Sequence, residues 1–339
     1  MSLGAPLRAR LAAATPALGC APLGNLFRSV DESQADAVVR RAWQEGVRYF
    51  DTAPHYGHGL SEHRLGRVLR TLPRDDFVLS TKVGRILTAD ANAPRSAFGY
   101  VDALPFVQRY DYTGDGVRRS LEDSLQRMGL ARIDIVFVHD IDATTQGAAQ
   151  PARFKDLLDS GLPALARLKA EGVIAGYGLG VNEVGICLDT LAHADLDVLL
   201  LAGRYTLADQ DALARLLPEC QRRDVAVVLG GPFNSGILAS GARPRDGGAP
   251  YFNYQPAPPD IITRVAAIEA VCAQFDVPLK AAALQFPRAH PAIACVLAGA
   301  RTAGEVAENV ALARRSIPAA FWRALVERRL IDPQVPLPS

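Results

Sequence analysis

The sequence predicts an α/β fold, specifically a (β/α)8 or TIM barrel used as a single domain with long βα loops. Eight short apolar, β-rich runs recur along nearly the whole chain, and the stretches between them place apolar residues at helical spacing. No Pro/Ser-rich linker breaks this alternation, and 339 residues is a length that barrels use as one domain.

The runs are PALGCAP (16–22), VRYFDT (47–52), FVLSTKV (77–83), IDIVFVHD (133–140), VIAGYGLG (173–180), LDVLLLAG (196–203), VAVVLGG (225–231) and AIACVLAG (292–299). Segments 31–46, 114–130 and 209–224 have helical periodicity, and several such segments begin with an Asp or Ser able to cap a helix. Strand alternating with helix implies right-handed parallel crossovers, and eight such units favour closure over an open sheet. Beyond the eighth run, PAAFWRALVERRL (318–330) reads as a helix packed outside the barrel and carrying Trp322. Residues 1–14 read as a tail: the apolar stretch there is short, is interrupted at Thr15 and Pro16, and does not suit a secretory leader.

With 49% hydrophobic and 22% charged residues the chain can bury a large core, which excludes a disordered or fibrous class. Its 37 Lys and Arg against 36 Asp and Glu are interspersed, so neither a nucleic-acid stripe nor a membrane-surface segment is expected. No stretch of about eighteen apolar residues suggests a membrane span. The expected partner is a small molecule, the expected assembly a monomer or small homo-oligomer. The five cysteines, Cys20, Cys187, Cys220, Cys272 and Cys295, are far apart and form no metal-ligand spacing; they fit a reducing cytoplasm and no metal site is expected.

Three connections, 83–113, 140–160 and 231–259, are too long for bare βα loops and are rich in Gly, Pro and aromatics. All follow strands, so they are expected to wall a substrate pocket at the C-terminal face of the barrel.

Four polar residues mark the ends of three successive runs: Asp51, Tyr56 just after it, Lys82 and His139. A charged residue ending a buried strand needs a partner, and adjacent strand ends converge in a barrel, so an Asp51–Lys82 pair beside Tyr56 and His139 is expected. An ammonium near Tyr56 would lower its pKa and make it a usable acid or base, while His139 would orient a substrate oxygen. Taken singly, each residue has a plain structural reading; their joint placement favours chemistry. GYGLG (176–180) lacks the full dinucleotide fingerprint, and His55, His58 and His63 share one loop and helix start without a supporting ligand set.

The segments FDTAPHYGHGLSEHRLG (50–66), STKVG (80–84) and VHD (138–140) resemble the aldo-keto reductase family, and the resemblance runs from about Leu18 to about Asn309. It implies that Asp51, Tyr56, Lys82 and His139 form the catalytic tetrad, with hydride transfer to or from a nicotinamide while Tyr56 carries the proton. It also implies a carboxamide contact at Asn182, a pyrophosphate loop at Phe233, Asn234, Ser235 and Gly236, and an adenosine-end segment with Arg301, Glu305 and Asn309. Gly230 stands where better-known relatives have an aromatic residue. Glu305 stands where NADP-preferring relatives have Arg, so NAD is the preferred cofactor, with NADP the alternative because Arg301 is near. The segments 176–183, 204–210 and 227–238 are similar to the sugar-oxidising branch of the family, implying oxidation of the C1 hydroxyl of an aldose such as L-fucose. Pyridoxal oxidation and general aldehyde or ketone reduction remain as alternatives, and a non-catalytic cofactor-binding subunit is the alternative of another class.

Overall fold

All eight apolar runs become strands: β1 Ala17–Gly19, β2 Tyr49–Asp51, β3 Val78–Val83, β4 Ile135–His139, β5 Gly176–Val181, β6 Val198–Ala202, β7 Ala226–Gly230 and β8 Ile293–Gly299. They lie parallel in sequence order and close, because β1 pairs with both β2 (Leu18 opposite Phe50) and β8 (Ala17 opposite Leu297). The computed structural model describes residues 3–14, 16–244 and 247–338.

Alternation along the strands sorts side chains to the two faces of the barrel wall. Tyr49, Val78, Ile135, Phe137, Val198, Leu200, Val228 and Leu297 fill the interior, whereas Phe50, Leu79, Val136, Val138, Leu199, Val227 and Val296 pack outward with the helices. The inward parity that holds Tyr49, Val78 and Ile135 also carries Asp51, Lys82 and His139. The strands therefore deliver these three residues to the inside of one end of the barrel.

The main helices are α1 Ala5–Ala13, α2 Glu32–Gln44, α3 Leu60–Leu69, α4 Gly114–Met128, α5 Leu162–Ala170, α6 Val184–His193, α7 Leu216–Arg222, α8 Pro259–Gln274, α9 Leu279–Gln285, α10 Ala303–Arg314 and α11 Ala319–Glu327, with further short helices in the loops at Ala143–Gln146, Gln150–Asp156 and Ile237–Ser240. Asp31 caps α2 by accepting from Gln34 N, and Thr113 caps α4 by accepting from Gly116 N. Segment 209–224 is helical only from Leu216; turns occupy the residues before it. The C-terminal helix α11 packs outside the barrel as expected, burying Phe321 and Trp322.

Residues 1–14 are not a tail over their described part. Helix α1 closes the N-terminal end of the barrel, with Leu3 and Leu11 buried in the same cluster as the interior strand residues. Its sparse apolar residues gave no amphipathic signal; tertiary burial of Leu3 and Leu11 holds it in place. Among the described residues no helix is long and apolar enough to cross a membrane.

Candidate active site

Loops at the C-terminal ends of the strands surround two adjoining cavities of about 330 and 580 Å3, a size that suits small-molecule sites. Tyr56, Ala21, Leu26, Phe27, Leu200, Ala202 and Tyr254 line both, so these residues form the shared wall. The three long loops line the larger cavity through Arg85, Phe98, Tyr100 and Tyr110, through Asp140, Thr144 and Thr145, and through Tyr254 and Gln255. The stretch after β1, carrying Leu26 and Phe27, lines both cavities as well and was not expected to do so.

Lys82 and Asp51 form a buried ion pair, Nζ to Oδ2 at 2.7 Å, and Lys82 Nζ also donates to the Thr52 carbonyl at 3.0 Å. Ser80 donates to the other Asp51 oxygen at 2.6 Å, so both carboxylate oxygens are held. Burial nevertheless pushes the Asp51 carboxyl up, against the pull of Lys82. Lys82 Nζ lies 4.7 Å from the Tyr56 ring centre, and the Tyr56 and His139 rings are 6.0 Å apart, edge to face. The turn bearing Tyr56 is pinned by glycine contact: a Cβ on Gly24 would collide with the Tyr56 backbone, and Gly57 adopts φ 64°.

The structure brings the four expected residues together but corrects their electrostatics. Burial pushes the Tyr56 phenol well above its ordinary value, and the Asp51 charge adds to the rise. The ammonium does not offset this rise: Lys82 lies against the ring face and directs protons to Asp51 and the Thr52 carbonyl. Burial likewise pushes His139 well below its ordinary range, helped by Arg85 and Lys82, so the imidazole is neutral. Asp140 Oδ2 lies 3.3 Å from His139 Nε2, an arrangement that favours the proton on that nitrogen.

The smaller cavity runs from Asp51 and Tyr56 past Gly19, Gly230, Gly231, Phe233, Ser235 and Gly236 to Arg301, Glu305 and Asn309. Its glycine-rich wall has no aromatic side chain at Gly230. Asn234, Ser235 and Gly236 have φ of 44°, 60° and 115°, and the turn is held by Asn234 N and Gly236 N, which donate to the Gly231 and Phe233 carbonyls at 3.0 and 2.9 Å. Asn234 itself is structural, since its amide donates to the Gly203 carbonyl at 3.0 Å. Arg301 Nε and Asn309 Oδ1 are buried without hydrogen-bond partners. An extended anionic ligand with polar ends fits these groups, and a nicotinamide dinucleotide is such a ligand.

Asn182 lines the larger cavity with Lys82 and His139, and its amide is 3.5 Å from Asp140 Oδ1. Arg85 and Tyr254 were not singled out from the sequence, Asp140 entered only as the end of the VHD motif, and His55 only in the histidine trio weighed as a metal set. Asp140 carries the same signal as the chosen residues, a charge closing an apolar strand run; Arg85, which opens the hairpin strand Arg85–Ala89, and Tyr254, on a long loop, carry none.

A parallel barrel with a buried Asp–Lys pair, a Tyr and a neutral His beside a dinucleotide-shaped groove defines an oxidoreductase working by hydride and proton transfer. The family comparison agrees: the chain belongs to the aldo/keto reductase family, whose model matches residues 17–328. The chain is 43% identical to the pyridoxal 4-dehydrogenase of Microbacterium luteolum, over 93% of this chain and 94% of that one. It is 40% identical to the D-threo-aldose 1-dehydrogenase of a Pseudomonas species, over 98% and 99% of the two chains. Among solved structures, an aldo-keto reductase of Bacillus halodurans in its holo form superposes with a TM-score of 0.71 at 26% identity, covering 94% of this chain and 93% of that one. The protein is therefore an NAD(P)-dependent oxidoreductase of this family.

Proposed function

We propose that the chain oxidises the anomeric C1 hydroxyl of a cyclic aldose, L-fucose or another D-threo-type sugar, to the lactone, with NAD preferred over NADP. The observation that carries this reading is the position of Tyr56 on the wall shared by the two cavities, where one side chain reaches both a groove for the cofactor and a pocket for the sugar. Bound NAD(P) supplies the hydride acceptor and a cationic ring. The Tyr56 phenolate takes the C1 hydroxyl proton as the C1 hydride departs and the C1–O bond becomes a carbonyl. Lys82, fixed by Asp51 and the Thr52 carbonyl, stabilises the phenolate, and the neutral His139 holds the reacting oxygen from Nε2.

For the cofactor, Glu305 lines the far end of the groove, where a carboxylate accepts from a ribose hydroxyl and repels a 2′-phosphate. Arg301 beside it is the counterweight that keeps NADP in view.

Pyridoxal is the second reading, favoured by the 43% identical relative and by the aromatic side chains Phe98, Tyr100, Tyr110 and Tyr254 around the larger cavity. Its aldehyde also closes to a cyclic hemiacetal, so the same residues serve the same oxidation. A kinetic panel of aldoses and pyridoxal with NAD and NADP tests the proposal. Highest kcat/KM for L-fucose with NAD is expected; a clear preference for pyridoxal would replace the aldose reading.

A further inference from the structure

Asp140 is a buried charged residue at the barrel mouth whose only part in the hydride and proton transfers is to favour the proton on His139 Nε2 through Oδ2. Such a residue is a poor stabiliser, because removing a carboxylate and a guanidinium from water costs about as much as their attraction returns. Its placement is nevertheless firm. Asp140 N donates to the Gly180 carbonyl at 3.0 Å, and the Asp140 carbonyl accepts from Gln146 Nε2 at 2.5 Å and from the Tyr112 hydroxyl at 3.2 Å. The backbone is left-handed, φ 44°, which an Asp tolerates better than most residues.

The two carboxylate oxygens have different surroundings. Oδ2 accepts from Arg85 Nη2 at 2.5 Å and lies 3.3 Å from His139 Nε2. Arg85 is in turn fixed at Nη1, 3.1 Å from His55 Nδ1 and 3.0 Å from Gln108 Oε1. Among the described residues Oδ1 accepts only from the Asn182 amide, at the long distance of 3.5 Å, and Asp140 lines the larger cavity with Thr144, Thr145 and Asn182. An ionised carboxylate offers about four acceptor positions, so Oδ1 retains capacity for a donor arriving in the cavity.

We propose that Asp140 determines substrate specificity by accepting, through Oδ1, a hydrogen bond from the hydroxyl on the carbon next to the one oxidised, with Arg85 as its positioning residue. The inference rests on the aldose reading above. His139 Nε2 holds the reacting oxygen, Asp140 sits against that nitrogen, and hydroxyls on adjacent carbons lie about one hydrogen-bond length apart. A sugar binding O1 at His139 therefore brings its C2 hydroxyl to the Asp140 carboxylate. Burial raises the Asp140 pKa to about 6, so at neutral pH the group is still an anion, one that burial has deprived of water and that gains from a hydroxyl donor.

The test measures kcat and KM for L-fucose and its 2-deoxy analogue in the wild type, Asp140→Ala and Asp140→Asn, with cofactor binding followed by protein fluorescence as a check on folding. The wild type is expected to favour L-fucose in kcat/KM by about 10- to 100-fold, the effect of one hydrogen bond to a charged group. Asp140→Ala is expected to bring that preference nearly to unity, with much of the loss in the KM for L-fucose. Asp140→Asn, which keeps an acceptor of the same shape, is expected to retain part of the preference and provides the readout where the alanine variant fails to bind cofactor. A wild type without the preference, or a preference unchanged in variants that bind cofactor normally, overturns the inference alone. A wild type that oxidises no aldose overturns the aldose reading and this inference with it.

Discussion

Tyr56 carries a conflict between burial and charge. A phenol inside the barrel mouth resists ionisation, and the nearby Asp51 carboxylate strengthens that resistance, while the Lys82 ammonium is held 4.7 Å from the ring centre, ready for the anion once it forms. Oxidation uses the anion as base. Because the pKa is raised, the phenolate fraction grows with pH into the alkaline range, so kcat/KM for oxidation is expected to climb there. His139, pushed down by burial, stays neutral and adds no step near pH 7. Tyr56→Phe should lower kcat by about 1000-fold or more and abolish the alkaline rise while cofactor affinity holds. A flat profile in the wild type, or retained turnover in the variant, would show that another group moves the proton. At this scale the sequence was informative where a polar residue ends an apolar run: Asp51, Lys82 and His139 were legible that way. Asn182, placed with the cofactor through likeness, lines the larger cavity beside Lys82, His139 and Asp140.

The N-terminus of α10 shows how one helix start serves both folding and recognition. Thr302 caps the helix by accepting from Glu305 N at 3.1 Å, and Glu305 returns to accept from Arg301 N at 2.6 Å. The T-x-x-E spacing is legible in the sequence as a capping pattern. That the same carboxylate lines the dinucleotide groove depends on where β8 ends relative to the loop after β7. Glu305→Arg removes a negative charge from the groove and adds a positive one, so the NADP to NAD ratio of kcat/KM is expected to rise on the order of tenfold, about the worth of one charge-assisted hydrogen bond. An unchanged ratio, measured with one substrate at fixed ionic strength, would remove Glu305 from cofactor choice. The accompanying loss of the Arg301 N–H acceptor makes a modest fall in stability part of the expectation.

The whole molecule is a closed sheet whose two ends have opposite tasks, one bearing the site and the other sealed by α1. Leu11 is fully buried in the barrel-interior cluster, so Leu11→Ala should destabilise the fold by about 2–5 kcal/mol and lower Tm without changing KM. A variant with wild-type Tm would mean that α1 is not a working part of the core. By itself the sequence determined the eight strands, their alternation with helices, the closed parallel architecture, and three of the polar groups at strand ends, because periodicity and burial are local properties written in consecutive residues. Only the tertiary structure decided which of those groups meet: that Lys82 turns to Asp51 and lies on the Tyr56 ring, that Arg85 clamps Asp140 beside His139, that Tyr254 arrives from a distant loop, and that residues 5–13 close the barrel. Direction of a side chain, depth of burial and the resulting shift in protonation depend on neighbours distant in sequence. The Tyr56 base predicted from the pattern therefore acquired its true electrostatic setting only once the barrel closed around it.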